Sequence, residues 1–103
     1  MDSSTNGEHL YQVGFSGLIR QELRKLLRQA VWEGRGPQFH EGLRSIFHRL
    51  ASAPKDLGEP LYRLTTLRLQ IRQVAVRPLV IDFAVHDEYH LVFIKTVALL
   101  ADE

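Results

Sequence analysis

Four arginines recur along one stretch of this chain at spacings that could build a binding face. The stretch "RLTTLRLQIRQVAVR" carries Arg63, Arg68, Arg72 and Arg77, and Pro78 follows it at once. Guanidinium groups bind phosphate and carboxylate in a bidentate manner, so arginines gathered on one face would form an anion site. A regular strand would direct Arg68 and Arg72 to one face and the other two to the opposite face. Two interpretations stay open, a solvated strand face and an anion-binding face.

A second basic group lies near the N-terminus, on a segment with helical periodicity. It consists of Arg20, Arg24, Lys25 and Arg28, with Glu22 beside them. Basic residues on one side of a helix are usually a solvated face. They also supply sequence-independent affinity for phosphates or for an acidic partner. Both interpretations are kept.

The segment "HDEYH", from His86 to His90, contains residue types that can hold a metal ion or move a proton. Its residues are consecutive, and side chains diverge in a tight turn, so we predict a turn and no metal site. Asp82 stands inside the apolar run "VIDFAV", and we expect it to face solvent or to pair with an arginine such as Arg72. The chain has no cysteine, which excludes disulfides and thiolate metal ligands, and no cofactor is expected.

Two amphipathic helices must position the basic residues of the N-terminal half. Apolar residues recur every three or four positions from Leu18 to Glu33, and Ser16 can accept a hydrogen bond from a free N–H of the first turn. Gly34 ends this helix. A second helix begins around Pro37 and ends before Pro54, and the short link between the two predicts an αα-hairpin.

The remaining segments have the composition of strands. Leu10–Phe15 alternates in the pattern of a short strand, and Arg68–Val76, Leu79–His86 and Leu91–Leu100 are rich in apolar and β-branched residues. Pro78 cannot donate to a sheet ladder and marks a bend between two strands. The predicted order is therefore β-α-α-β-β-β. This is an α+β fold in which an antiparallel sheet packs against the helical hairpin.

Composition limits what the domain can be. The 103 residues are 45% hydrophobic and 24% charged, which is typical of one soluble globular domain. We expect residues 1–8 to be a disordered lead-in and residues 9–103 to form the domain. The polar N-terminus resembles no signal peptide, and no apolar run could cross a bilayer, so a cytoplasmic location without membrane contact is expected. Because the net charge is only +1, any nucleic-acid binding would have to come from local clusters of basic residues.

The order of elements resembles the RelE/ParE superfamily, the toxins of bacterial toxin–antitoxin systems. The resemblance runs from Leu10 to Leu100. It is carried by "YQVGFSGLIRQELRKL", a strand leading into a basic helix, by "LGEPLYRL", and above all by "RPLVIDFAVHDEYHLVFIKTV". In that last segment an apolar strand, an acidic turn and a second apolar strand follow one another, as they do in the family.

The resemblance implies a function in plasmid stabilization or growth control. RelE-like members cleave messenger RNA at the ribosome without a metal, ParE-like members inhibit DNA gyrase, and a cognate antitoxin silences both. By resemblance, cations on the sheet would stabilise the charge that develops on phosphorus, and these are Arg68, Arg72, Arg77 and Lys95. Nucleic-acid or partner binding would fall to Arg20, Arg24, Lys25, Arg28 and Arg63.

The C-terminal residues depart from the nuclease branch of the family. That branch commonly has a glycine, basic residues and a later tyrosine after the last strand, where this chain has Val97, Ala98, Leu99 and Leu100. Enzymatic activity therefore stays open. The alternative is a non-catalytic interaction module that keeps the fold and packs its terminal leucines against a partner or, as a homodimer, a second copy.

Overall fold

The computed structural model describes residues 10–86 and 88–100, which form an α+β domain. In chain order the elements are β1 (Gln12–Gly14), α1 (Gly17–Trp32), α2 (Gly36–Ser52), a 3-10 turn (Pro54–Asp56), β2 (Glu59–Leu64), β3 (Leu69–Val76), β4 (Leu79–His86) and β5 (Leu91–Leu99). The expected N-terminal lead-in, residues 1–8, lies outside the described residues. No helix within the described ranges is long and apolar enough to cross a membrane.

The ends of the two helices lie where the sequence predicts them. The Ser16 side chain accepts a hydrogen bond from the Ile19 amide at 3.2 Å, which satisfies a free donor of the first turn of α1. Gly34 follows α1 with a φ of 77°, a conformation that costs glycine little. Pro37 occupies the first turn of α2, where its missing N–H is not needed.

The sheet has five strands in the order β1-β5-β4-β3-β2, and β1 runs parallel to β5 while the other neighbours are antiparallel. The α+β class is therefore confirmed. The expectation of four strands in a wholly antiparallel sheet is wrong. The parallel pair arises because β1 lies at the edge of the sheet, beside the last strand rather than beside its neighbours in sequence.

The extra strand comes from the arginine-rich stretch itself. Residues 59–64 form β2, residues 65–68 form a turn, and β3 begins at Leu69, so "RLTTLRLQIRQVAVR" is a hairpin and not one strand. Arg68 closes the turn with a φ of 58°. Non-glycine residues seldom adopt this conformation, and a glycine is the usual sequence signal for it. Because residues 65–68 contain no glycine, the sequence does not indicate this turn. Pro60 is tolerated because β2 is an edge strand.

Both helices pack on one face of the sheet and form the core with it. The helices contribute Leu26, Ala30, Phe39, Ile46 and Leu50, and alternate residues of β4 contribute Leu79, Ile81, Phe83 and Val85. Burying a side chain of this size stabilises the fold by about 1.5–3 kcal/mol relative to exposing it. The intervening residues of β4, from Val80 to His86, belong to the other face, called here the open face.

Candidate functional site

The β2–β3 hairpin and the rest of the sheet place the predicted cations at several separate positions, on both faces of the sheet. Arg72 lies on the helix side of the sheet, opposite Phe83 of β4, and only 7% of its surface is exposed. Its guanidinium donates to the carbonyl oxygens of Leu57 at 2.9 Å and Gly58 at 3.1 Å, and to the Gln70 side chain at 3.0 Å. Because each guanidinium nitrogen already donates one bond, Arg72 fastens the segment before β2 to β3.

Asp82 does not pair with Arg72. It lies on the open face of β4, half-buried, and its carboxylate accepts a hydrogen bond from the Gln73 side chain at 2.8 Å. The two charged groups lie on opposite faces of the sheet, because Asp82 stands next to Phe83, the partner of Arg72. Of the two expectations for this acid, the open face is confirmed and the arginine pair is wrong.

Arg68 and Arg77 lie at opposite ends of β3. The eight residues of the strand lie between them, so the two arginines are nine steps and roughly 30 Å apart at about 3.3 Å per residue. Arg68 forms an ion pair with Glu88, which joins the β2–β3 turn to the β4–β5 turn. Arg77 is exposed in the turn before Pro78 and lines a shallow cleft with Gln38 of α2. One phosphate cannot contact both arginines.

Lys95 is an unpaired bulge residue of β5 on the open face. Its ammonium nitrogen lies 3.0 Å from the Tyr62 hydroxyl and 5.6 Å from the centre of that ring. Tyr62 stands opposite Ile71 in the sheet, and Ile71 stands opposite Ala84. Ile71 and Ala84 are almost fully buried although neither described helix packs on this face, and their strand neighbours Tyr62 and Phe93 flank them there. Arg63 lies on exposed β2, opposite Gln70.

The "HDEYH" segment forms the predicted turn, although Asp87 lies outside the described residues. The ring nitrogen Nδ1 of His86 accepts from the backbone amides of Glu88 at 3.2 Å and Tyr89 at 3.4 Å. The rings of His86 and Tyr89 stack at 4.7 Å, and His90 lies against Tyr11. Among residues 10–86 and 88–100, no three histidine or acidic side chains come close enough to share a metal ion.

A concave surface lies between the two helices and is called here the hairpin groove. It has a volume of about 510 Å³. Its floor and walls are the apolar residues Phe15, Leu23, Leu27, Phe39, Leu43 and Phe47, and its polar rim is Arg20, Arg24, Arg44 and His40. An apolar groove with a basic rim fits a ligand that is apolar on one side and acidic at its margins.

Local contacts hold the groove in shape. The rings of Phe15 and Phe47 meet edge to face at 5.9 Å, and the guanidinium of Arg20 lies 5.6 Å above the Phe15 ring. Of the four basic residues predicted on α1, Arg20 and Arg24 line the groove, whereas Lys25 and Arg28 are exposed and lie away from it. The structure therefore divides the predicted basic ridge into two sides of one helix.

The sequence signals the groove only in part. The periodic apolar residues of each helix predict a packed helical hairpin, but nothing in the sequence marks Arg44 as a binding residue, and Phe15 belongs to the segment between β1 and α1. These residues come together because α1 and α2 are joined by only three residues and pack on each other.

Comparison with protein-family models, with curated proteins and with solved structures finds no match to this chain. Its function has therefore to be inferred from its own residues. The cations that the resemblance marks as catalytic lie on both faces and at both ends of the sheet. The hairpin groove, in contrast, brings three arginines together around one apolar surface.

Proposed function

We propose that this chain is a protein-binding domain of the RelE/ParE type that takes an acidic, amphipathic segment of a partner protein in the hairpin groove. The observation that carries the proposal is the apolar groove rimmed by Arg20, Arg24 and Arg44. An amphipathic helix binds such a groove by laying its apolar side against the floor. The partner we expect is the antitoxin that the resemblance implies.

Charge decides which amphipathic segment the groove prefers. The three rim arginines are exposed, so they attract acidic residues at the margins of a partner helix and steer its approach. Glu or Asp residues flanking an apolar stripe would each meet an arginine, whereas a basic segment would be repelled. We expect the association to weaken as salt is added, because exposed charges are screened within about 10 Å at 0.1 M salt.

The dispersal of the sheet cations supports binding over cleavage. Stabilising a phosphorus transition state requires several cations around one phosphate. Arg72 uses its donors on carbonyls inside the fold, and Arg68 and Arg77 lie at opposite ends of β3. We therefore propose growth inhibition through binding as the activity of a toxin-like component. Inhibition of DNA gyrase, which is itself a binding function, is compatible with it.

The proposal requires a small reading frame for the antitoxin beside the one that encodes this chain, and it is tested by expressing the two together in a bacterial host. We expect growth arrest that the neighbouring protein relieves. The groove double reversal Arg20→Glu with Arg24→Glu should abolish both the relief and the complex of the purified proteins. The matched control is Lys25→Glu with Arg28→Glu, which changes the net charge of the same helix by the same amount outside the groove and should leave both intact.

Two outcomes would contradict the proposal. One is equal loss of the complex in both double reversals, since general charge and not the groove would then hold the partner. The other is ribosome-dependent cleavage of messenger RNA by the purified chain, which would replace the binding function with an enzymatic one.

A further inference from the structure

The rim of the hairpin groove is built from two matching pairs of basic residues. On α1 the pair is Arg20 and Arg24, and on α2 it is His40 and Arg44. The members of each pair are four residues apart, so they are neighbours on one side of their helix. Each helix therefore borders the groove with one basic pair.

His40 differs from the other three rim residues because its charge depends on pH. Arginine stays charged at every pH at which proteins usually work. Histidine, in contrast, gains its proton between about pH 8 and pH 5. The rim consequently carries three positive charges while the imidazole is neutral, and a fourth is added when the ring is protonated.

The charged groups that face His40 are all basic. Its side chain is exposed, and its ring lies edge to face with that of Phe39 at 6.3 Å. Among the described residues that line the groove there is no carboxylate, and the charged ones are Arg44 on the same helix with Arg20 and Arg24 on α1. No residue of the described strands lines the groove, so the sheet brings no charge to this rim.

The acidic residues nearest to His40 in the sequence are engaged elsewhere. Glu41 lines the shallow cleft that contains Arg77, and Glu33 accepts a hydrogen bond from the Arg35 side chain at 3.0 Å. A carboxylate that reaches His40 across the groove must therefore come from a bound ligand.

We propose that the hairpin groove takes up a proton at His40 when it binds an acidic segment, so that it holds this partner more tightly as the pH falls. The inference rests on the proposed function, because it concerns how the same groove holds the same class of partner. A carboxylate placed beside His40 and Arg44 meets two positive charges in acid and one at higher pH. In turn, the bound carboxylate favours the protonated ring, since coupling between two binding events is reciprocal.

The expected change in affinity is modest because the rim is exposed to solvent. One additional exposed ion pair corresponds to about a two- to fivefold change in a binding constant. Glutamate and aspartate side chains of a partner stay ionised above about pH 5. A comparison between about pH 7.5 and about pH 5.5 therefore changes the charge of histidine and leaves the carboxylates charged.

The test measures the affinity of the whole chain for a synthetic helical peptide at these two pH values. The peptide has an apolar stripe flanked on both sides by glutamates and contains no histidine. We expect it to bind about two- to fivefold more tightly at the lower pH. The matched control is the same peptide with glutamines in place of the glutamates, which should show no such gain because it offers no negative charge.

Substitutions at two histidines of α2 identify the group that is responsible. His40→Gln should abolish the gain, and His40→Arg should bind at both pH values as tightly as the unchanged chain does in acid. His48→Gln is the matched control, because His48 is exposed on the same helix but does not line the groove, and it should keep the full gain. His40 is exposed, so the fold should survive both of its substitutions, and urea denaturation checks this.

Proton uptake distinguishes a charge at His40 from a general effect of pH on the chain or the peptide. Calorimetric titrations in two buffers of different ionisation enthalpy count the protons that binding takes up. At about pH 6.5 the unchanged chain should take up a fraction of a proton, and His40→Gln should take up none.

The inference is overturned if affinity does not rise in acid, if His40→Gln keeps the gain, or if His48→Gln loses it. A glutamate peptide that binds equally at both pH values would leave the groove as the docking site and remove only the role of His40. Absence of binding at either pH would remove the proposed function and this inference together.

Discussion

The Nε atom of Arg72 donates a hydrogen bond to the carbonyl oxygen of Leu57 at 2.9 Å, and this bond joins β3 to the segment that leads into β2. The same guanidinium holds Gly58, the next residue of that segment. A side chain that the family resemblance marks as a phosphate ligand therefore has a structural role on the buried side of the sheet.

Replacing Arg72 should cost stability. In Arg72→Leu the carbonyls of Leu57 and Gly58 lose their buried donor, and we expect the free energy of unfolding to fall by about 2–4 kcal/mol. Urea denaturation measures the change. Arg77→Leu is the control from the same arginine series, and because Arg77 is exposed its effect should stay within about 0.5 kcal/mol. Equal effects of the two substitutions would contradict this role for Arg72.

Gly58 should tolerate no side chain. Its φ is 67°, and a Cβ atom there would lie 2.1 Å from the carbonyl oxygen of Gln73. We expect Gly58→Ala to lower the free energy of unfolding by about 2 kcal/mol or more, since steric overlap adds to the backbone strain. Gly34→Ala separates the two causes, because Gly34 has a similar φ but open space around it, and should cost about 1 kcal/mol. If both variants lose the same stability, overlap with Gln73 is not the cause.

The helices were predictable because their signals are local. The caps and stops at Ser16, Gly34 and Pro37 act on neighbouring backbone groups, so sequence alone locates the helix ends. The β2–β3 hairpin could not be predicted from the sequence, because Arg68 adopts a positive φ that is uncommon for arginine. Period-two patterns could not reveal that one regular-looking strand contains a turn.

The faces of the sheet and the hairpin groove depend on pairing between distant segments. The bulges at Leu61 and Lys95 shift which residues face each other, and a shift of one residue reverses a side chain's face. The sequence therefore identifies Arg68, Arg72, Arg77 and Lys95 as cations of the sheet region. It cannot say which face of the sheet each of them occupies. Arg44 joins Arg20 and Arg24 only through helix packing, which residue spacing within one helix cannot predict.

The contact between Lys95 and Tyr62 should be measurable but small. Both residues are exposed, so we expect a coupling free energy of about 0.5 kcal/mol between them. A double-mutant cycle with Lys95→Met and Tyr62→Phe isolates the hydroxyl contact in urea denaturation. Tyr62→Ala should cost more than Tyr62→Phe because it uncovers Ile71, which is only 1% exposed. Strict additivity in the cycle would show that the hydroxyl contact contributes nothing to stability.

The stability of the α1–α2 link should depend on pH through Glu33. The Arg35 guanidinium hydrogen-bonds its carboxylate, the Gln29 side chain adds a second bond, and together they lower the pKa of Glu33 from its ordinary value of 4.5. A lowered folded-state pKa means that the contribution is complete above the ordinary value and is lost as pH falls through the folded-state pKa. Wild type and Glu33→Gln should therefore differ in urea midpoint near neutral pH and converge in acid. The difference should be small, because the Glu33 carboxylate is exposed to solvent and its charge is screened by salt. In an Arg35→Ala background the pH-dependent part should shrink, since the largest cause of the shift is gone. An undiminished pH dependence in that background would assign the effect to a group other than the Glu33–Arg35 pair.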